Sequence, residues 1–279
     1  MAEKRLIHLI VGARPNFIKI APLFRKLKEE GDRYETIIVH TGQHYDDKMS
    51  KIIFDDLGLP KPDKYLQVGS GTHGKQTALI IERYEEFILK NKRPDLVVVA
   101  GDVNSTIATA LVAKKLHIPV AHLEAGLRSF DERMPEEINR VLTDRISDIL
   151  LTPSLDGNEN LLKEGVAKNN IFFVGNMMID SLVEQREKAE NSKIKEIRGL
   201  KEGEKYALIT LHRPSNVDEE KGLAILLEAF AAIGEKIKMI FPMHPRTRKN
   251  IKSLGLDAKI KSIPNLIVSE PVGYHDFLK

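Results

Sequence analysis

Short runs rich in Val, Ile and Leu alternate with helix-length segments along most of this chain, and that alternation leaves few folds open to it. The runs Leu6–Val11, Thr36–His40, Leu96–Ala100, Pro119–Leu123, Ile149–Thr152 and Ile171–Val174 are strand-length and apolar on both faces. Between them lie segments such as Phe17–Glu30 and Asn104–His117, where apolar residues (Ile107, Leu111, Val112) recur at helical spacing. Strands buried on both faces and separated by crossover helices imply a parallel sheet covered on each side. A charged stretch, Glu184–Lys205, reads as a solvated helix and linker. The alternation then restarts with strands Tyr206–Thr210, Met239–Pro242 and Leu266–Val268 and a helix over Gly222–Ile233. A length of 279 residues suits two such units. The expected class is α/β: two Rossmann-like domains, residues 1–174 and 175–279, with parallel sheets facing a cleft.

Composition excludes several function classes. Lys plus Arg is 43 against Asp plus Glu 40, and a net charge of +3 gives no nucleic-acid-binding surface. Cysteine is absent, which removes disulfides, thiolate catalysis and Cys-based metal sites together. No run approaches the ~18 apolar residues of a membrane span, and the start of the chain lacks the apolar core of a signal peptide. The expectation is a cytoplasmic protein that does not meet a membrane.

The polar motifs fall where open α/β sheets put their ligands, just past the carboxyl ends of strands. His122-Leu123-Glu124-Ala125-Gly126-Leu127-Arg128-Ser129 follows the apolar run at Pro119–Ala121, and Gly101-Asp102-Val103-Asn104-Ser105-Thr106 follows Leu96–Ala100. Asp, Asn, Ser and Thr are favoured N-caps, so one residue of the second motif is expected to cap the next helix. Capping does not require Asp102 as well, and Asp102 is assigned to a site. Glu124 is either bridged to Arg128 or poised as a base, and both readings can hold together. Glu136 follows Pro135 at a helix start, where a carboxylate is stabilising in its own right. It also stands one turn from Arg140, so the residues alone leave it mainly structural. If all three carboxylates act, the chemistry is acid–base, with Asp102, Glu124 and Glu136 converging on one cleft.

Basic groups supply the complement. Gly12-Ala13-Arg14-Pro15-Asn16-Phe17-Ile18-Lys19 joins the first strand to the first helix, where free backbone N–H groups, Arg14 and Lys19 suit a diphosphate. The motif is not the Gly-x-Gly-x-x-Gly fingerprint, so a nicotinamide cofactor is not indicated. His212-Arg213 and His244 with Arg246 each follow a strand of the second half and form a candidate phosphate-facing wall. His40 and His44 straddle a strand end without the helical context of a metal pair, and no metal is expected.

Taken together these segments resemble the non-hydrolysing branch of the UDP-N-acetylglucosamine 2-epimerase family. The match runs in order through Gly12–Lys19, Thr41-Gly42-Gln43-His44, Gly101–Thr106, His122–Ser129, Pro135–Arg140, Gly175-Asn176 with Asp180, His212-Arg213 and His244. The resemblance implies a fold of the GT-B type and interconversion of UDP-GlcNAc and UDP-ManNAc without a redox or other cofactor. UDP leaves C1 as the C2 proton is removed, and the resulting glycal takes it back with the proton on the other face. Carried over by position, Asp102, Glu124, Glu136 and His212 are implied as catalytic. Arg14, Lys19, Gln43, His44, Arg128, Arg213 and His244 are implied as substrate-binding. Lys19 either orients the carboxylates or meets the phosphate. A homodimer is implied, and a second domain that binds UDP.

Two departures are visible. Relatives run on into a Gly-rich acidic segment that this sequence lacks, so its second domain is expected to be partial and its nucleotide site incomplete. Relatives regulated by their own substrate carry a second glutamine where Asp46 stands here, and that regulation is not transferred. The alternatives are a 2-epimerase acting on a UDP-diacetamido uronic acid sugar, a hydrolysing 2-epimerase, and a non-catalytic nucleotide-sugar-binding protein.

Overall fold

A computed structural model of the chain describes residues 3–42 and 54–279. Gln43, His44 and Asp46 therefore lie outside the described residues, as does the side chain of Arg14. The chain forms two compact units, Met1–Arg186 and Glu187–Lys279.

In the first unit the strands are β1 (Arg5–Val11), β2 (Tyr34–His40), β3 (Lys64–Tyr65), β4 (Leu96–Ala100), β5 (Val120–Leu123), β6 (Ile149–Thr152) and β7 (Ile171–Phe173). They make one sheet in the order β3-β2-β1-β4-β5-β6-β7, and every pairing is parallel. The six strands expected from the sequence are all present. β3 was not foreseen, because two residues are too few to show a periodicity. The helices are α1 (Arg14–Glu29), α2 (His73–Lys90), α3 (Asn104–Lys115), α4 (Pro135–Ile146), α5 (Leu155–Lys163) and α6 (Met177–Glu190).

Strand order reverses between β1 and β4, because the chain moves outward from β1 through β2 and then outward the other way from β4. With right-handed crossovers, this puts α1 on one face of the sheet and α3 and α4 on the other. α2, α3 and α4 pack side by side. α1 meets α6 through Ser181 Oγ, which donates to the Ile18 carbonyl, and through the Arg25–Glu184 ion pair. α3 can sit between two helices because its buried positions carry small side chains, Ala108, Thr109, Ala110 and Ala113 among them. The core beneath it is built from Val39, Val97, Val99, Ile80, Tyr84 and Val112.

The second unit carries a parallel three-stranded sheet in the order β10-β9-β8, made of β8 (Tyr206–Leu208), β9 (Lys238–Pro242) and β10 (Leu266–Ser269). The principal helices are α7 (Glu220–Gly234) and α8 (Pro245–Ser253), and Leu223, Leu227, Met239 and Phe241 form its core. β8 stops short of the expected Thr210, although Ile209 N still donates to the Ile240 carbonyl at 2.8 Å. The α/β class with parallel sheets in both halves is as expected. Among the described residues, no helix is long and apolar enough to cross a membrane.

Candidate active site

The crevice beyond the β1/β4 reversal is where a doubly wound sheet places ligands, and the polar motifs of the first unit line it. Gly12 ends β1 against the first turn of α3, and a Cβ there would lie 2.1 Å from Ser105 Oγ and 2.9 Å from Thr41 Oγ1. Glycine is required at this position for space. Asn16 shapes the same turn, accepting from Gly12 N at 3.1 Å and Ala13 N at 2.9 Å while donating to the Ala100 carbonyl at 2.8 Å. One α1 side chain thus ties the end of β1 to the end of β4.

Past β4, Gly101 turns the chain with φ +68°, and a Cβ on it would sit 2.9 Å from Lys19 Nζ and 3.5 Å from Glu124 Oε2. Lys19 donates to Glu124 Oε2, and the two side chains are only 10% and 15% exposed. Glu124 itself has φ +73°, a conformation that disfavours most side chains. The turn after it is held by Glu124 N and Ala125 N donating to the Leu151 carbonyl at 3.1 Å each. Gly126, at φ +80°, runs so close to α5 that a Cβ would be 2.3 Å from the Gly157 carbonyl oxygen. A strained carboxylate paired with a buried ammonium, beside a backbone without a side chain, is a preorganised place for a ligand atom.

Asp102 is held from the opposite face. Arg140 on α4 donates to its Oδ2, and Asn139 Nδ2 donates to its carbonyl at 2.9 Å. Arg140 also donates to Glu137 at 2.9 Å, and Glu137 accepts from Ser129 N and Phe130 N at 2.9 and 3.0 Å. Although burial opposes the charge on Glu137, these two amides, Ser129 and Arg140 hold its carboxyl below its ordinary value. Glu136, in the same first turn, is half-buried, and its side chain makes no hydrogen bond or ion pair among the described residues.

Several expectations need correction. The N-cap of α3 is Val103, which makes no side-chain cap bond. The polar residues around it are drawn elsewhere: Asp102 to Arg140, Asn104 Nδ2 to Gln76 Oε1 at 3.0 Å, Ser105 to Thr41, and Thr106 to the Ala100 carbonyl at 2.9 Å. The Glu136–Arg140 pair does not form, since Arg140 is taken by Glu137 and Asp102. Glu124 is paired with Lys19 and not with Arg128. Arg128 is 2% exposed at its side chain and donates to Asp144, to both oxygens of Glu164 and to the Leu127 carbonyl. That guanidinium holds α4, α5 and the β5 turn together, with four of its five N–H groups used in doing so.

In the second unit, His212 and His244 stand past the ends of β8 and β9 with ring centroids 5.9 Å apart. His212 and Arg213 are exposed. His244 is the N-cap of α8, its Nδ1 accepting from Arg246 N at 3.2 Å. The Arg246 guanidinium is engaged with Asp218. Among the described residues no His, Cys, Asp and Glu group could hold a metal ion.

The residues that sequence reasoning missed are Asn16, Glu137, Asn139, His122 and Asp144. Their only signal was position, at the first turn of a helix for Asn16 and Glu137, further along α4 for Asn139 and Asp144, and inside a buried strand for His122, and that signal reads equally as capping or core.

Comparison with known proteins bears directly on this arrangement. The model of the family described as UDP-N-acetylglucosamine 2-epimerase matches residues 25–279. A UDP-N-acetylglucosamine 2-epimerase from Methanocaldococcus jannaschii is 45% identical over 98% of this chain and 75% of its own length. A UDP-2,3-diacetamido-2,3-dideoxy-D-glucuronate 2-epimerase from Pseudomonas aeruginosa is also 45% identical, over 96% of this chain and 73% of its own. The crystal structure of the M. jannaschii UDP-GlcNAc 2-epimerase in complex with UDP-GlcNAc and UDP superposes with a TM-score of 0.87 at 43% identity, covering 98% of this chain and 75% of that one.

Proposed function

Because this chain belongs to the UDP-N-acetylglucosamine 2-epimerase family, we propose that it inverts C2 of UDP-N-acetylglucosamine to give UDP-N-acetylmannosamine. The C2 hydrogen has no carbonyl beside it, so it is removed together with loss of the C1 substituent. The C2–H and C1–O bonds break, a C1=C2 bond forms, and UDP leaves with the electron pair of the C1–O bond. Re-addition of UDP at C1, with a proton delivered to the opposite face of C2, completes the inversion. Two proton carriers are needed, one for each face, and cationic groups are needed for the departing diphosphate.

The observation that carries this reading is the set of carboxylates at the β4 and β5 ends. Glu124 is clamped by Lys19, Asp102 is clamped by Arg140, and the nearby helix start carries Glu136, whose side chain has no hydrogen-bond or ion-pair partner among the described residues. We assign proton transfer at C2 to this set, with Lys19 as the group that orients Glu124. Arg14, His212 and Arg213 are assigned to the diphosphate, and Gln43, His44 and His244 to further substrate contacts. The resemblance also implies a homodimer, which molar mass by light scattering would test. A second reading has its own support, because the diacetamido uronate epimerase is as similar as the UDP-N-acetylglucosamine enzyme. Its substrate presents the same C1 and C2 and differs at C3 and C6.

Incubation with each UDP-sugar in heavy water tests the proposal. Deuterium at C2 with a mixture of the two C2 epimers is expected. Net release of UDP with free sugar would move the assignment to a hydrolysing epimerase. Tight binding without exchange of either sugar would leave only a nucleotide-sugar-binding protein.

A further inference from the structure

Behind the two carboxylate-bearing turns lies a buried polar string that contacts neither of those carboxylates. Asp144, on the third turn of α4, is 1% exposed at its side chain and His122, on β5, is fully buried. Asp144 Oδ1 bonds His122 Nδ1 at 2.6 Å, and Oδ2 accepts from Gly126 N at 3.0 Å and from Arg128 Nη1 at 2.7 Å. The far nitrogen of the ring, His122 Nε2, lies 2.8 Å from the Gly101 carbonyl oxygen. A carbonyl and an ionised carboxylate can only accept, so Nε2 donates to the Gly101 carbonyl and Nδ1 donates to Asp144. Burial raises the Asp144 carboxyl, but His122 and Arg128 more than offset it and hold the group below its ordinary value.

One carboxylate therefore reaches both halves of the candidate site. Directly it fixes Gly126, the last residue of the turn that presents Glu124, and through His122 it fixes Gly101, the residue before Asp102. Glu124 sits at positive φ, where a residue with a side chain keeps its conformation only if its surroundings over-determine it, and Gly101 and Gly126 are glycines at positive φ with intrinsically free backbones. Asp144 and His122 supply that constraint from one point. We propose that Asp144, acting through His122, is a positioning residue that holds the Asp102 turn and the Glu124 turn at a fixed separation. The inference rests on the epimerase reading for its catalytic consequence, but the coupling of the two turns stands on the geometry alone.

The paired test uses Asp144→Ala with two substitutions of His122. Asparagine could keep both arms of the link, accepting from Gly126 N and donating to His122 Nδ1, whereas alanine can do neither and cuts both. His122→Gln can place an N–H where Nε2 was, and His122→Asn places its amide near Nδ1 and loses Gly101. Backbone amide exchange by mass spectrometry should show peptides spanning 100–103 and 124–127 both losing protection in Asp144→Ala. In His122→Asn the 100–103 peptide should lose more, and in His122→Gln part of its protection should return. In the epimerase assay, kcat per folded molecule should fall at least about tenfold in Asp144→Ala with KM within about threefold, because a misplaced site loses turnover before binding. Asp144→Ala combined with His122→Asn should be no worse than the more damaging single variant. Wild-type protection of 100–103 in Asp144→Ala would overturn the coupling, as would additive losses in the double variant. Absence of C2 exchange in the wild type would instead strike the epimerase reading, and amide exchange would still decide the coupling.

Discussion

Lys19 donates to Glu124 across 105 positions of sequence, from the second turn of α1 to the end of β5. Both side chains are largely shielded from water, and Gly101 leaves the opening above them. A nearly buried ion pair is costly to break from one side, because the remaining charge is stranded.

Lys19→Met should therefore destabilise the first unit by about 2–3 kcal/mol, somewhat under the ~3–5 of a fully buried pair. It should abolish most turnover. Urea unfolding of Lys19→Met, Glu124→Leu and the double variant checks this: the double variant should recover part of the loss in stability and none of the activity. A double variant destabilised by the sum of the two single losses would mean that the pair contributes nothing as a pair.

Gly101→Ala separates space from chain flexibility. At φ +68° an added methyl is strained by about 1 kcal/mol, and it also lands 2.9 Å from Lys19 Nζ. The ammonium has to move off Glu124, so activity should fall by at least about tenfold while the melting temperature drops by only a few degrees. A variant with native turnover would show that the Lys19–Glu124 geometry is not needed for the reaction.

Arg14→Ala and His212→Ala address the diphosphate. Each should weaken UDP binding, Arg14→Ala by about 2 kcal/mol if its contact is charge-assisted, or roughly 30-fold in Kd. Calorimetric titration with UDP reads this directly. An Arg14→Ala protein that binds UDP as tightly as the wild type would remove Arg14 from the diphosphate site.

Acid should loosen the first unit through two histidines that the reaction does not use. Burial lowers His8 and His40 to about 4 from the ordinary 6.5. Folding therefore favours their neutral forms, and the unfolded chain binds more protons between those values. Stability is full above about pH 6.5 and is lost progressively as pH falls toward 4. The slope of unfolding free energy against pH should correspond to about two protons near pH 5, and His8→Asn should reduce it by about one. A slope unchanged by that substitution would show that His8 is not the titrating group.

Much of the first unit was legible in advance for a simple reason. Strands of a doubly wound sheet are buried on both faces, so they stand out as uninterrupted apolar runs: β4 and β6 fall on Leu96–Ala100 and Ile149–Thr152 as read. Residues just past such runs lie at the ligand-binding edge whatever the rest of the chain does. Asp102 and Glu124 were therefore placed at that edge from local sequence, and the family resemblance suggested a chemistry for them.

Partnership was not legible. Charges near in sequence suggested Glu136 with Arg140 and Glu124 with Arg128, but the fold pairs Arg140 with Asp102, Arg128 with Asp144 and Glu164, and Glu124 with Lys19. Adjacent helix positions differ by about 100° in direction, so the burial of Glu137 and the partial exposure of Glu136 depend on how α4 is rotated against α3. Sequence by itself determined which residues reach the carboxyl edge of the sheet, because strand burial and alternation are local patterns. Tertiary structure alone decided which charges meet there, because a pair forms where packing brings two side chains together and removes the water that would otherwise screen each of them.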